Sequence, residues 1–145
     1  MAGRTRPDSW YRQSAALPYR RREGRFEILL ITSLKKKRWI IPKGIVEPGL
    51  SPGASAAKEA LEEAGVVGEV SPRPVAVYEH RKWGGTCRVE VFPLRVTETL
   101  DRWPEAEWRE RRWLTLAEAV RRVEQKALRA VLRRFGQMSG DQRLT

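Results

Sequence analysis

The chain has 145 residues but only one cysteine and one histidine, Cys87 and His80. A lone cysteine cannot form an intrachain disulfide, and free thiols are typical of the cytoplasm, which is the predicted location. The scarcity of cysteine and histidine also excludes the ligand sets of zinc fingers and iron–sulfur clusters. Any metal site must therefore be built from carboxylate and carbonyl oxygens.

Long apolar runs are missing as well. The longest uninterrupted one, Ile28–Ile31, is far shorter than the roughly 18 residues that a membrane-spanning helix needs. Arg4 and Arg6 are followed by no apolar stretch, so no secretory signal is predicted. These absences predict a protein that does not associate with a membrane.

Acidic residues are outnumbered, with 18 Asp and Glu against 29 Lys and Arg, which leaves a net charge of +11. This excess predicts an anionic partner. No helix-turn-helix, zinc-finger or aromatic RNA-binding signature accompanies the charge, so a small polyphosphate fits as well as a nucleic acid. The clusters Arg20–Arg22, Lys35–Arg38 and Arg81–Lys82 can each also be read as a solvated surface.

Apolar patterning predicts several short strands. They cover residues 13–21, 26–32, 39–41, 74–80, 88–97 and 112–114. Pro93 interrupts the fifth of these, which predicts an edge position or a bulge there.

Two helices are predicted from their end signals. The first, Pro52–Ala64, follows the N-cap Ser51 and ends at Gly65. The second begins after the capping box Thr115–Glu118 and runs to about residue 135. Strands and helices do not alternate regularly, which predicts an α+β fold with a mixed sheet flanked by helices.

The same patterning divides the chain into three parts. Residues 1–12 show no periodicity and are predicted to form a flexible arm. Residues 13–135 are predicted to form a single domain, and residues 136–145 a flexible tail.

Three glutamates of the first helix form the strongest chemical signal. Glu59, Glu62 and Glu63 are three or four residues apart and so share one face, and Lys58 is the only cation of that helix. The preceding loop is rich in glycine and proline and offers backbone carbonyls. Carboxylates and carbonyls together bind hard cations such as Mg²⁺, whereas the alternative is an ordinary glutamate-rich surface helix.

Residues 44–66 resemble the Nudix box, G-x5-E-x7-R-E-U-x-E-E-x-G-U, in which U is apolar. The matching positions are Gly44, Glu59, Ala60, Glu62, Glu63, Gly65 and Val66. Leu50 and Lys58 depart from the box, which has glutamate and arginine there. Trp39–Gly44 and Arg111–Trp113 resemble the diphosphoinositol polyphosphate phosphohydrolase branch of the family.

The resemblance implies a Nudix-type α/β/α sandwich that hydrolyses a diphosphate linkage with Mg²⁺, or Mn²⁺, as cofactor. It implies that the metal ligands are Glu59, Glu62, Glu63 and the carbonyl of Gly44, with Lys58 completing the catalytic set. The base would be Glu59 or Glu62, or an acid of the 98–107 loop. Glu47 is the candidate to replace the acid that Leu50 removes.

The basic residues near the box are predicted to bind the substrate. Lys43 is the first candidate, followed by Arg20, Arg22, Lys37, Arg38 and Arg81. The expected substrate is a highly phosphorylated small molecule, such as a diphosphoinositol polyphosphate or a dinucleoside polyphosphate. The alternatives are removal of pyrophosphate from RNA 5′ ends and a non-catalytic module that binds a polyanion. Both a monomer and a homodimer fit the sequence.

Overall fold

The computed structural model of the protein describes residues 10–140. These residues form eight strands and three helices. In chain order they are β1 (Trp10–Arg22), β2 (Arg25–Thr32), β3 (Trp39–Ile40), β4 (Lys43–Ile45), α1 (Pro52–Ala64), β5 (Val66–Val70), β6 (Ala76–Lys82), β7 (Gly85–Thr99), β8 (Arg111–Thr115), α2 (Leu116–Arg122) and α3 (Lys126–Gly140).

The strands form one mixed sheet around two long central strands. Its main order is β3-β2-β1-β7-β5, and β4, β6 and β8 pair with β1, β7 and β2. β1 and β7 run parallel from Trp10–Thr86 to Tyr19–Arg95, and the other described pairs are antiparallel. The predicted mixed sheet is therefore confirmed.

Successive buried residues of the strands face opposite sides of the sheet, as the two-residue period of a strand requires. In β2, Ile28 and Leu30 belong to the core beneath α2 and α3, whereas Leu29 and Ile31 belong to the core beneath α1. The α1 core is completed by three buried alanines, Ala56, Ala60 and Ala64. The result is the α/β/α sandwich that the sequence resemblance implied.

Both ends of the predicted domain differ from the structure. β1 begins at Trp10, so residues 10–12 belong to the sheet and not to a flexible arm. α3 continues to Gly140, so the first half of the predicted tail is helical. The rest of the predicted arm and tail, residues 1–9 and 141–145, lies outside the described residues.

The single helix predicted over residues 116–135 is two helices. α2 ends at Arg122, and Val123 has an extended backbone with φ −77° and ψ 139°. The side chain of Val123 is nevertheless buried in the same core as Leu128 and Val131. Helical spacing of apolar residues continues across the break, which is why the pattern did not predict it.

Pro93 lies in a central strand, so the predicted edge position is wrong. β7 has β1 on one side, and β5 and then β6 on the other. The Pro93 carbonyl accepts a hydrogen bond from the Ser71 N–H (2.8 Å), between the segments where β5 and β6 pair. Since the N–H and C=O of a strand residue point to the same side, the missing proline donor coincides with this gap.

Candidate active site

Helix α1 holds the glutamates, and both of its ends are capped as predicted. The Ser51 hydroxyl accepts the Ala54 N–H (3.1 Å), and Gly65 adopts the left-handed conformation with φ 67°. A side chain at Gly65 would clash with Trp103, because an added Cβ would lie 2.7 Å from its ring. The predicted helix boundaries are confirmed.

The last turn of α1 is fixed to the β7–β8 loop. The Trp103 indole N–H donates to the Glu63 carbonyl (3.1 Å), and the Arg111 guanidinium donates to the Ala64 carbonyl (2.9 Å). Arg111 stacks on Trp103 at 3.9 Å from the ring centroid. These contacts satisfy carbonyls that a helix end leaves without partners, and they hold the backbone of Glu63 in place.

Glu59 and Glu63, one turn apart, share a hydrogen bond between their side chains. Burial raises the pKa of Glu63 to about 9, and the hydrogen bond to Glu59 adds to the effect, against a lowering by Arg109. Burial also raises the pKa of Glu59. The two carboxyl groups therefore hold a proton between them in the absence of a cation.

Gly44 of β4 lies directly against this pair. A Cβ at Gly44 would be 2.5 Å from both Cδ and Oε2 of Glu59, so only glycine leaves room for that carboxylate. The backbone N–H of Lys43 donates to Oε1 of Glu63 (3.4 Å). Three of the four predicted metal ligands, Gly44, Glu59 and Glu63, are thus brought together.

Glu62, the fourth, is only half-buried. Its negative charge contributes to raising the pKa of Glu59, and its backbone carbonyl accepts the Glu105 N–H (3.1 Å). Glu62 therefore lies on the side of the pair that faces the 98–107 loop.

The arrangement suits Mg²⁺ without forming a complete cage. Within residues 10–140, no three His, Cys, Asp or Glu side chains are grouped as a metal site. Mg²⁺ does not require such a group, because it usually keeps several waters and binds one or two carboxylates together with substrate phosphates. The two carboxyl groups share a proton and lie beside the backbone of Gly44. A divalent cation can bind to their oxygens in place of that proton.

Two residues of the β7–β8 loop, Glu105 and Arg109, adjoin the glutamates of α1; the sequence indicated Glu105 only as one of the acids of the 98–107 loop and did not indicate Arg109 as a site residue. Arg109 donates from Nε to Glu105 (2.7 Å) and from a terminal nitrogen to the Thr32 carbonyl (3.0 Å). Another of its nitrogens lies 3.6 Å from Oε1 of Glu63. The four-residue spacing of Glu105 and Arg109 was the available signal, but it does not reveal their approach to α1.

A cleft of about 500 Å³ opens beside Glu63. We call it the basic cleft, because its lining includes five cations of the β2–β3 loop, β4 and β6: Lys35, Lys36, Arg38, Lys43 and Lys82. Two predicted substrate contacts, Lys43 and Arg38, lie in it.

The other predicted substrate contacts are not among the residues that line the described cleft. Arg20 pairs with Glu27 (2.8 Å) and stacks on Trp113, while Arg22 is exposed at the end of β1. Lys37 donates to the Trp108 carbonyl (3.2 Å), and Arg81 donates to the Thr86 hydroxyl (3.3 Å). Arg20, Lys37 and Arg81 are thus engaged by other groups of the chain.

The side chain of Lys43 lines the basic cleft and is held by neighbouring polar groups. Its Nζ lies 3.5 Å from Nε2 of His80, which is 3.1 Å from Oε1 of the buried Gln13. Burial and the nearby Lys82 lower the pKa of Lys43, and burial followed by Lys43 lowers that of His80. A partly buried cation beside Glu63 is well placed to meet an anion.

The two departures from the box lie on the outer side of α1. Lys58 Nζ is 2.5 Å from Oε1 of Glu47, whose N–H donates to the buried Ser55 hydroxyl (3.3 Å). The hydrogen bond that Lys58 donates to Glu47 raises the pKa of Lys58. Leu50, in the loop before α1, lines a groove with Trp10 and Tyr11.

We expect the metal-free protein to lose stability as the pH rises. The folded-state pKa of Glu63 is about 9 and the unfolded-state value is that of an ordinary carboxyl group, so the folded state binds more protons between them. The free energy of unfolding should fall across this window, by at most about 1.4 kcal/mol per pH unit for one proton. Urea denaturation in a chelator measures it, and an unchanged slope in Glu63→Gln would contradict the assignment.

The chain is similar to known proteins over most of its length. The NUDIX domain model matches residues 10–135. Nudix hydrolase 12 of Arabidopsis thaliana, named as mitochondrial, is 35% identical over 127 residues, covering 82% of this chain and 63% of that protein. Human diphosphoinositol polyphosphate phosphohydrolase 3-alpha is 35% identical over 118 residues, covering 79% and 70%.

Solved structures share the fold. An Ap4A hydrolase of C. elegans, in a binary complex, has a TM-score of 0.74 at 20% identity and covers 90% of this chain and 98% of that one. The MutT protein of Methanosarcina mazei has a TM-score of 0.71 at 20% identity and covers 93% and 99%. Within residues 10–140, no helix is both long and apolar enough to cross a membrane. The matching family model and the box on α1 agree: the chain belongs to the Nudix hydrolase family.

Proposed function

We propose that this protein hydrolyses a diphosphate linkage in a highly anionic small molecule, of the diphosphoinositol polyphosphate or dinucleoside polyphosphate type. One observation carries the proposal: the close carboxyl groups of Glu59 and the buried Glu63 adjoin a cleft whose lining includes six cations. A metal beside the pair and cations along the cleft together suit a chain of phosphates.

Mg²⁺, or Mn²⁺ in its place, would be held by Glu59, Glu63 and the Gly44 carbonyl, with Glu62 at the edge of the set. Such an ion, when bound, neutralises charge on phosphate oxygens and lowers the pKa of a coordinated water. Glu59 and Glu63 supply the negative charge that attracts it, and their raised pKa values mean that its binding releases protons.

The chain's own groups then bind and orient the substrate. Lys43, beside Glu63, would contact the phosphates nearest the metal, and Arg38 those farther out. Arg109 is already paired with Glu105 and near Glu63, so its role is to orient these acids. Glu105 is the acid of the 98–107 loop that we propose, beside Glu59 and Glu62, as an acceptor for a proton of the attacking water.

The proposed location is the cytoplasm, on the evidence of a single, buried cysteine. A monomer or a homodimer remains the predicted assembly. The chain spans less than two thirds of the mitochondrial relative described above, so that relative's compartment is not transferred.

The test is hydrolysis of a substrate panel with Mg²⁺, followed by anion-exchange chromatography. The panel contains a diphosphoinositol polyphosphate, diadenosine polyphosphates, ADP-ribose and 5′-triphosphorylated RNA. We expect cleavage of one of the first two classes, lost on chelation. Cleavage of RNA alone would favour the RNA 5′-end activity, and tight binding without cleavage under any divalent metal would favour a non-catalytic module.

We also expect the Lys58–Glu47 pair to support activity without forming part of the metal site. Lys58→Met and Glu47→Gln should each lower kcat/KM by roughly tenfold, the scale of outer contacts to metal ligands. Lys58→Arg, which keeps the charge, should retain activity. Steady-state kinetics checks this, and a loss in Lys58→Met without one in Glu47→Gln would separate Lys58 from Glu47.

A further inference from the structure

The basic cleft contains one acidic side chain that the proposed chemistry does not use. Apart from Glu63, the acid among the described lining residues is Glu124. Its side chain is exposed, and its Oε1 lies 3.5 Å from Nε of Arg38, a cation of the β2–β3 loop that also lines the cleft. An acid in this position opposes the binding of the anions that the other residues attract.

Glu124 is held by the helices on either side of it. Its neighbour Val123 is buried, and the Val123 N–H donates to the Ala119 carbonyl of α2 (3.1 Å). The backbone carbonyl of Glu124 accepts a hydrogen bond from the Arg129 guanidinium of α3 (3.0 Å). These two hydrogen bonds thus fix the backbone of Glu124 at the junction between α2 and α3, beside the basic cleft.

Arg38 is held in a similar way by its own loop. The Ser33 N–H donates to the Arg38 carbonyl (2.8 Å), and the Arg38 N–H donates to the Ser33 hydroxyl (3.0 Å). The loop is therefore closed at its base, and the guanidinium can contact either Glu124 or an anion in the cleft.

We propose that Glu124 is a specificity-determining residue that competes with the substrate for Arg38 and disfavours ligands with the most phosphates. This inference rests on the proposed function of the basic cleft as the polyphosphate site. Glu124 repels a bound anion in proportion to the anion's charge, so its effect is greater on a ligand with many phosphates than on a short one. An anion that takes Arg38 must also separate it from Glu124.

Equilibrium binding tests the proposal without requiring turnover. The probes are inositol hexakisphosphate and inorganic pyrophosphate, measured by calorimetry with the full chain. Glu124→Gln should bind the hexakisphosphate about threefold to fivefold more tightly, a change typical of one exposed charge. The gain should be smaller for pyrophosphate and should shrink at high salt.

Glu69→Gln is the matched control. Glu69 is also an exposed glutamate paired with an arginine, Arg95 (2.5 Å), but it lies on β5 and does not line the cleft. Its substitution removes the same charge, and we expect it to leave both affinities unchanged. In an Arg38→Met background, the gain from Glu124→Gln should be smaller, because only the direct repulsion between Glu124 and the anion is then removed.

Each result decides the matter. An unchanged affinity in Glu124→Gln, an equal gain in Glu69→Gln, or a gain that is undiminished with Arg38→Met would overturn the proposal. If the natural chain does not bind the hexakisphosphate, the basic cleft is not a polyanion site and the inference fails with it. Binding with the expected pattern but no hydrolysis of any panel member would refute the proposed activity and leave Glu124's role standing.

Discussion

Replacing Glu63 with glutamine lowers turnover by about a hundredfold or more, by analogy with the loss of a single group that stabilises a transition state. The side chain keeps its size and an oxygen that can accept the Lys43 N–H, but it can no longer carry the negative charge that a cation requires. Since Glu63 is buried and prefers its protonated form, a neutral amide fits the same space. The fold should therefore survive.

The experiment compares turnover with stability in the same variant. Steady-state kinetics with saturating Mg²⁺ gives the loss of activity, and urea denaturation in a chelator gives the free energy of unfolding. We expect the second value to equal or exceed that of the natural chain at neutral pH. Glu69→Gln, on the surface of β5, should change neither. Full turnover in Glu63→Gln would remove this carboxylate from the metal site.

Gly44→Ala should be nearly as damaging, although it adds a single methyl group and changes no charge. That methyl would lie 2.5 Å from Cδ and Oε2 of Glu59, so the carboxylate must move away from Glu63. Because the displaced atoms are the far end of a flexible side chain, most of the cost should appear as lost activity. We expect kcat/KM to fall by about a hundredfold, since a ligand moved by an ångström no longer meets the metal and substrate together.

Gly53→Ala provides the matched control. Gly53 lies in the first turn of α1, and its added Cβ would meet Val70 at 3.6 Å, an ordinary contact. Alanine also favours a helix over glycine by up to about 1 kcal/mol, so this variant should be as active as the natural chain and slightly more stable. Equal activity in Gly44→Ala and Gly53→Ala would mean that Glu59 does not act from the position that Gly44 permits.

Local signals predicted helix α1 completely, and non-local contacts account for what the sequence did not predict. Ser51, Pro52 and Gly65 act on the helix that they flank, so its bounds and its glutamate face follow from the neighbouring residues. β4 is short and lies in a segment rich in glycine and proline, and it is a strand because it pairs with β1. No local pattern reports such a pairing.

The same distinction applies to the site. The position of Glu63 beside Glu59 follows from helical spacing, whereas the approach of Arg109 depends on a loop about forty residues away along the chain. Clusters of basic residues predicted anion binding, and of the six candidate residues only Lys43 and Arg38 line the basic cleft. Arg20 stacks on Trp113 and pairs with Glu27, contacts that only the register of β1 with β2 and of β2 with β8 creates.

The break between α2 and α3 has a consequence for how the ligand preference of this protein could be redesigned. The groups proposed to hold the metal lie on a strand within the sheet and on a capped helix, whereas Arg38 and Glu124 lie on two connecting segments outside both. Exchanging these two connections, residues 33–38 and 123–125, would alter which ligands bind in the basic cleft. The residues proposed to hold the metal would stay unchanged. New ligand preferences can therefore be sought by varying these nine positions while the residues proposed to hold the metal are kept.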